Sequence, residues 1–283
     1  MKVEIFVPAH ITGFFQIIED KNPLKMGSRG AGVVINKGVR TRIKSSRNDR
    51  PKVTVDGVNE SNFITWKVLE IFNESFELPG LKVYHELEVP IGCGFGVSGA
   101  CALGTSLGVS RLLELPLTVN GAASIAHQAE VELGTGLGDV IAELNGGISL
   151  RLKEGAPGHG MIDRIIHEPL YVICKAFGEI DTATIIKDPM KMEMINSIGS
   201  GMLKRLLSDP SPEKFMQLSY EFADKTKLLT MNVKESFETI EGDVIGASMA
   251  MLGDAIFALS KEPDTSLDDS IIAEVDSKGA RFI

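Results

Sequence analysis

Residues 90–100 read Pro90-Ile-Gly92-Cys-Gly94-Phe-Gly96-Val-Ser98-Gly99-Ala100, between the alternating stretch Leu81–Val89 (LKVYHELEV) and a run of small and apolar residues from Gly99 to Leu113. The alternation predicts a strand and the run after it a helix, so the glycines form a strand-to-helix turn. Glycines let successive backbone N–H groups converge on one anion without interference from Cβ atoms. The positive end of the following helix adds attraction. The Ser98 hydroxyl is placed to reach a phosphate oxygen or a divalent cation. The segment is therefore expected to cradle the phosphates of ATP, with Pro90, Gly92, Gly94, Gly96, Val97, Ser98, Gly99 and Ala100 as its binding residues.

Other readings of the same letters fare worse. Gly94–Gly99 spells G-x-G-x-x-G, the dinucleotide fingerprint, which also needs a second strand carrying an acid about 20 residues on. Glu114 has that spacing, but it sits in LLELP at a helix end and another helical segment follows. A P-loop requires a Lys-Ser/Thr pair closing the turn, and no lysine lies between Lys82 and Lys153. A nucleophile elbow needs glycine where Ala100 stands. A purely structural turn remains as an alternative, against which four glycines stand within residues 92–99.

The missing lysine has a chemical consequence. Phosphoryl transfer needs neutralisation of charge, and without a loop lysine much of it falls to a metal held by carboxylates. That points to AHQAEVELGTGLGD, residues 126–139. Glu130 lies near the end of a predicted helix, Gly121–Leu133, and Asp139 follows the glycine-rich turn Gly134–Gly138. One carboxylate can hold Mg²⁺ while the other orients or deprotonates an acceptor hydroxyl. In isolation, Glu130 and Glu132 read as solvated helix residues and Asp139 as a helix cap. Beside the glycine segment, the catalytic reading is preferred.

The rest of the chain is consistent with a small-molecule enzyme. Its 283 residues, 43% hydrophobic and 24% charged, suit one large domain or two smaller ones. No apolar run approaches the roughly 18–20 residues of a membrane span, and the start (MKVEIFVPAH) lacks a signal-peptide pattern, so a cytoplasmic location is expected. A net charge of -9 argues against a nucleic-acid surface. The stretch Arg40–Lys52 holds six basic residues and one acid, and reads as a solvated strand and loop. Cys93, Cys101 and Cys174 form no Cys-x-x-Cys pair and fit a reduced compartment.

Further strands are expected at Lys2–Pro8, near Gly32–Lys44, at Gly146–Leu152 and at Leu170–Cys174, with a turn-rich loop at Gly27–Gly32. Helices are expected at Asn62–Asn73, from Gly121 (capped by Thr118 or Asn120), over Met190–Leu207 and Pro212–Leu229, and in a last helix ending near Ser260. Lys153–Gly160 is the expected boundary between two parts, 1–155 and 156–283. The acidic tail Glu262–Asp269 is expected to be exposed. Alternating strands and helices imply an α+β or α/β fold.

PIGCGFGVSGA resembles the central motif of the GHMP kinase superfamily, roughly P-x-G-x-G-L-G-S-S-A-A, with Phe95 for the leucine, Val97 for the first serine and Gly99 for the first alanine. PAHITGFF at Pro8–Phe15 is similar to the superfamily's first motif, and Gly242–Gly253 to its third. Within the superfamily, PAHITGFF, GSRGAG at Gly27–Gly32, the AHQAEVELGTGLGD run and GDVIGASMAMLGDAIFAL resemble the archaeal pantoate kinase branch. The resemblance implies a two-lobed α+β fold with mixed sheets and packed helices, the N-terminal lobe binding ATP. It implies a homodimer that uses ATP and Mg²⁺ to phosphorylate pantoate in coenzyme A biosynthesis; charge and hydropathy, as above, lead to no expectation of a nucleic-acid or membrane partner.

Carried over to this chain, Ser98 and Glu130 would hold Mg²⁺ and phosphate oxygens, and Asp139 would orient or deprotonate the substrate hydroxyl. His10 stands where mevalonate kinase has a lysine, and that enzyme's G-E-H is missing near Phe15-Gln16-Ile17. Both departures argue against mevalonate and leave the role of His10 open among the substrate-binding candidates. Pantoate's carboxylate calls for a cation, for which Arg151 and Arg29 are the candidates, with Ser28 and His127 as hydrogen-bonding partners. Each arginine could equally serve a surface ion pair, and His127 a helix interior. Two alternatives stay open: another GHMP-type kinase acting on a hydroxy acid or isoprenoid alcohol, and a non-catalytic nucleotide sensor.

Overall fold

Two long strands open the chain, β1 (Lys2–Ile18) and β2 (Gly27–Ser45), paired antiparallel with register shifts at Pro8/Ala9 and Thr12/Phe14. They belong to a computed structural model that describes residues 2–47, 50–58, 63–180, 188–240 and 244–283. Both strands run further than alternation suggests. PAHITGFF lies within β1, and GSRGAG, expected as a loop, begins β2. Burial on both faces removes the polar alternation that normally marks a strand, and nearly every residue of β1 from Ile5 to Phe15 is buried.

The chain continues through β3 (Lys52–Val55), α1 (Phe63–Ser75), β4 (Leu81–Leu87), α2 (Val97–Leu112), α3 (Val119–Leu133), α4 (Asp139–Asn145), β5 (Ile148–Lys153) and β6 (Met161–Ile165). These strands and the terminal β11 (Arg281–Phe282) make a sheet ordered β11-β1-β2-β4-β3, with β5 added to β2 and β6 to β5. β2 is shared: residues 39–45 pair with β4 and residues 30–33 with β5. Lys153–Gly160 falls between the antiparallel β5 and β6, and the chain reaches its second sheet only at β7 (Tyr171–Gly178).

The second sheet is antiparallel, ordered β10-β7-β9-β8, from β7, β8 (Val244–Met249), β9 (Asp254–Ser260) and β10 (Ile271–Glu274). Among the described residues between β7 and β8 lie α5 (Pro189–Ser208), α6 (Pro212–Lys225) and α7 (Met231–Thr239). The helix expected to end near Ser260 is instead the β8–β9 hairpin. Its apolar run has no polar side because β9 is the inner strand between β7 and β8, buried from Ala255 to Ser260. Such a run does not distinguish helix from strand.

α2 explains how the site is held. It is buried on nearly all sides, as expected for a helix with no polar stripe. Its small residues allow close approach to the first sheet: a Cβ on Gly104 would meet Thr41 Oγ1 at 2.4 Å, and one on Gly108 would meet Ile5 Cδ1 at 2.6 Å. α6 packs Phe215 against Phe257 of β9 and Phe222 against Phe15 of β1, tying the second sheet to the first.

Two arginines of the basic stretch are part-exposed and paired on the first sheet, Arg40 with Glu88 and Arg42 with Glu4 and Glu86. The three cysteines are buried, and among the described residues none is joined in a disulfide. Among the described residues, no helix is long and apolar enough to cross a membrane.

Candidate active site

Gly92, Gly94 and Gly96 adopt φ of 74°, 82° and 67°. In this left-handed region a side chain is strained, so the alternation of glycines is a backbone requirement. Gly96 is the N-cap of α2, and the first helical bond runs from Ala100 N to Gly96 O. The N–H groups of Val97, Ser98 and Gly99 therefore lie in the first turn without intrahelical acceptors. Gly92, Gly94, Gly96, Val97 and Ser98 line one deep pocket, together with Glu130, Asp139, Ser28 and Arg151.

Glu130 reaches this pocket because α3 ends close by, at the left-handed C-cap Gly134 (φ 70°). Its Oε1 accepts hydrogen bonds from Ser98 Oγ and, at 2.6 Å, from Thr135 Oγ1. Burial pushes its carboxyl up to about 7; the two hydroxyl donors oppose the rise and the charge of Asp139 adds to it. Asp139 opens α4, where a negative charge suits the helix dipole.

Asp139 Oδ1 lies 2.7 Å from His10 Nδ1, and His10 Nε2 lies 3.3 Å from Arg151 Nη1. An arginine can only donate, so His10 Nε2 accepts from Arg151 and Nδ1–H donates to Asp139. This assignment makes His10 neutral. Burial lowers its pKa and acts in the same direction, outweighing the opposite pull of Asp139. For Asp139, burial alone would favour the neutral acid. The bond from His10 and the nearby charge of Arg151 outweigh it, and the carboxyl is held below its ordinary value. Burial brings the Arg151 guanidinium down to about 10, so it stays cationic at neutral pH.

The pocket is closed by a distant part of the chain. The β8–β9 turn at residues 250–253 presses on the glycine segment: a Cβ on Gly253 would lie 2.0 Å from the Cys93 carbonyl carbon, and one on Gly94 3.0 Å from Met251 O. Met251 N donates to Thr12 O of β1 (3.0 Å) and Ile180 N to Gly92 O (3.2 Å). Gly242, the first residue of the expected third motif, lies outside the described residues.

The candidates from sequence divide into three groups. Ser98, Glu130, Asp139, Ser28 and Arg151 converge on the pocket with the glycines at 92, 94 and 96. His10 is fully buried behind Asp139. Pro90, Gly99, Ala100, Arg29 and His127 do not line the pocket. Adjacent strand residues point to opposite faces, so Ser28 turns inward while Arg29 turns out to Glu154 at 2.6 Å. His127 Nε2 bonds the Met26 carbonyl at 2.9 Å, just before β2 begins.

Sequence reasoning overlooked Thr135, Gly138 and Glu143. Thr135 is a hydroxyl set among turn glycines, and Glu143 stands one helical turn beyond Asp139; both spacings are visible in the sequence. Gly138 is required for space: a Cβ there would meet Ser28 Oγ at 2.4 Å and Arg151 Nε at 2.7 Å.

Among the described residues, no set of three His, Cys, Asp or Glu forms a ready cation cage. The donors present are a hydroxyl and a carboxylate, Ser98 and Glu130, beside the first-turn N–H groups of α2. That set fits Mg²⁺, which commonly takes one or two protein oxygens and completes its shell with phosphates and water.

A family model for the GHMP kinases N terminal domain matches residues 62–147. The chain is 35% identical over 272 residues to the pantoate kinase of Methanocaldococcus jannaschii, covering 94% of this chain and 95% of the relative. It is 35% identical over 282 residues to the pantoate kinase of Thermococcus kodakarensis, covering 97% and 93%. A solved structure described as a phosphotransferase related to the CoA biosynthesis pathway superposes with a TM-score of 0.87 at 32% identity, over 100% of this chain and 98% of the other.

Proposed function

Because this chain belongs to the GHMP kinases, among the pantoate kinases, we infer that its reaction is the transfer of the ATP γ-phosphoryl group to pantoate, giving 4-phosphopantoate for coenzyme A biosynthesis. The observation that supports this chemistry best is the ionised Asp139, held by His10 in the pocket that also contains the glycine segment and a buried arginine.

The residues take the following roles. The N–H groups of the glycine segment and the first turn of α2 bind the phosphates. Ser98 and Glu130 hold Mg²⁺, which when bound neutralises charge on the transferring phosphoryl group. Arg151, with its Nε buried and without a hydrogen-bond partner among the described residues, engages the pantoate carboxylate with help from Ser28. The substrate's terminal hydroxyl then lies against Asp139. Its oxygen forms a bond to the γ-phosphorus, the bond from that phosphorus to the β,γ-bridging oxygen breaks, and the hydroxyl proton passes to Asp139. Positioning and electrostatics dominate such a transfer.

His10, without exposed surface, acts on the substrate through Asp139 and Arg151. His127 acts at one remove by fixing the Met26 carbonyl ahead of Ser28. Two lobes meeting at the pocket, a homodimer and a cytoplasmic setting belong to the same proposal, and sedimentation measures the oligomeric state. The central test is ADP release by the purified chain with ATP and Mg²⁺ over a panel of acceptors. Pantoate is expected to drive release. Release with mevalonate or homoserine but not with pantoate would overturn the substrate.

A further inference from the structure

Glu143 is fully buried, and among the described residues neither of its carboxyl oxygens has a hydrogen-bond partner. It lies on α4 four residues after Asp139, on the same helix face. Its carboxyl fills space left by two glycines of the phosphate cradle. A Cβ on Gly96 would come within 2.5 Å of Glu143 Oε1, and one on Gly99 within 3.1 Å of Oε2. The helix is fixed at this point, because the Glu143 carbonyl accepts a bond from Ala280 N at 2.9 Å.

An ionised carboxylate without donors in such a place is far more costly than a neutral acid. The facing groups make ionisation still less favourable. Asp139 on the same helix and Glu130 on α3 are both acidic and add repulsion, and burial drives the Glu143 pKa up before either of them acts. His10 on β1 is neutral and committed to Asp139. The cation on β5, Arg151, bonds to His10 rather than to Glu143. α2 brings no charged side chain at its near end, and its Ser98 hydroxyl is given to Glu130.

We propose that Glu143 works as an uncharged carboxylic acid, a positioning residue packed under Gly96 and Gly99 that keeps Asp139 the single negative charge on its face of α4. A second negative charge there would oppose both the incoming triphosphate and the placement of Asp139. The proposal rests on the kinase reading for its effect on turnover, but not for the protonation state itself.

Two measurements test it. Glu143→Gln keeps the size and the neutrality of the acid. Its turnover and its KM for ATP are expected within about threefold of the parent chain near neutral pH, with the loss of kcat/KM for ATP in alkaline solution displaced to higher pH. Glu143→Gln with a normal Tm but turnover reduced a hundredfold would overturn the proposal, as would an alkaline limb identical to that of the parent. Infrared spectroscopy of the unsubstituted chain gives a readout independent of activity and of the folding of any variant. In mildly alkaline solution, where Glu130 has lost its proton, a protonated-acid carbonyl band is expected to persist; its absence would sink the idea even if the kinase reading stands.

Discussion

His10 bridges Arg151 and Asp139, with Nε2 3.3 Å from the guanidinium and Nδ1 2.7 Å from the carboxylate. The bridge fixes the tautomer of the imidazole, since one neighbour only donates and the other only accepts. It keeps Asp139 ionised despite its surroundings, so the acid limb of activity should respond to it. Asp139 has a lowered value in the folded chain, so its bond to His10 stabilises the fold above the unfolded carboxyl value, and this is lost as pH falls through the folded one. In His10→Ala the acid limb of kcat should move to higher pH, with turnover lower by about 10²-fold. His10→Asn, which keeps a donor near the Nδ1 position, should shift it less. A pH–rate profile of His10→Ala lying on that of the parent would show that His10 does not hold Asp139.

Asp139→Asn keeps the shape and removes the proton acceptor. Turnover should fall by about 10²–10⁴-fold while the Kd for ATP, measured by calorimetry, stays within a few-fold. Near-normal turnover would remove Asp139 from the chemistry.

Glu130 is held at about 7 chiefly by burial, which sets stability against function. Its raised value means that the folded chain is progressively destabilised as pH rises from the unfolded carboxyl value toward 7. Glu130→Gln should therefore raise Tm above neutral pH, by an effect on the order of 1–3 kcal/mol, while removing most Mg²⁺-dependent turnover. In the unsubstituted chain, binding of Mg²⁺ with ATP should release about half a proton at pH 7, because the metal takes the deprotonated form. Calorimetry in buffers of different ionisation enthalpy measures that release, and none would argue against Glu130 as a ligand.

Two glycines separate the ends of the pocket. Gly138→Ala places a methyl against Ser28 and Arg151, and Gly253→Ala places one against Cys93 in the glycine segment. Overpacking of this kind costs about 1–3 kcal/mol. Gly138→Ala should raise KM for pantoate more than for ATP, and Gly253→Ala the reverse. Equal effects on both constants would mean that the two ends are not separate.

Much of the site was legible because its chemistry is local. The turn at Gly92–Gly96 declares itself by glycine alone, Ser98 stands out by its place at the end of that turn, and Glu130 and Asp139 follow from the need to neutralise charge without a loop lysine. The fold was less legible wherever burial is two-sided. β1 and β2 ran through segments expected as motif and loop, and the β8–β9 hairpin replaced a helix because its inner strand β9 is covered on both faces and carries no alternation. Arg29 looked as good a cation as Arg151 until the strand register turned it outward to Glu154. Glu143 is visible in sequence only as a spacing of one turn from Asp139; its burial is not, because a glutamate on a helix ordinarily faces water.

The sequence by itself determined the glycine turn ahead of α2 and directed attention to the carboxylates proposed to act beside it, because left-handed backbone and the absence of a lysine are properties of a few neighbouring residues. Only the tertiary structure decided which groups complete the site. His10 and Arg151 lie 141 residues apart, and they meet through the pairing of β1 with β2 and of β2 with β5. The β8–β9 turn reaches the glycine segment because α6 joins the second sheet to the first and Met251 N bonds to Thr12 O of β1. Such convergence depends on register and on burial from both sides, which no local pattern of residues encodes.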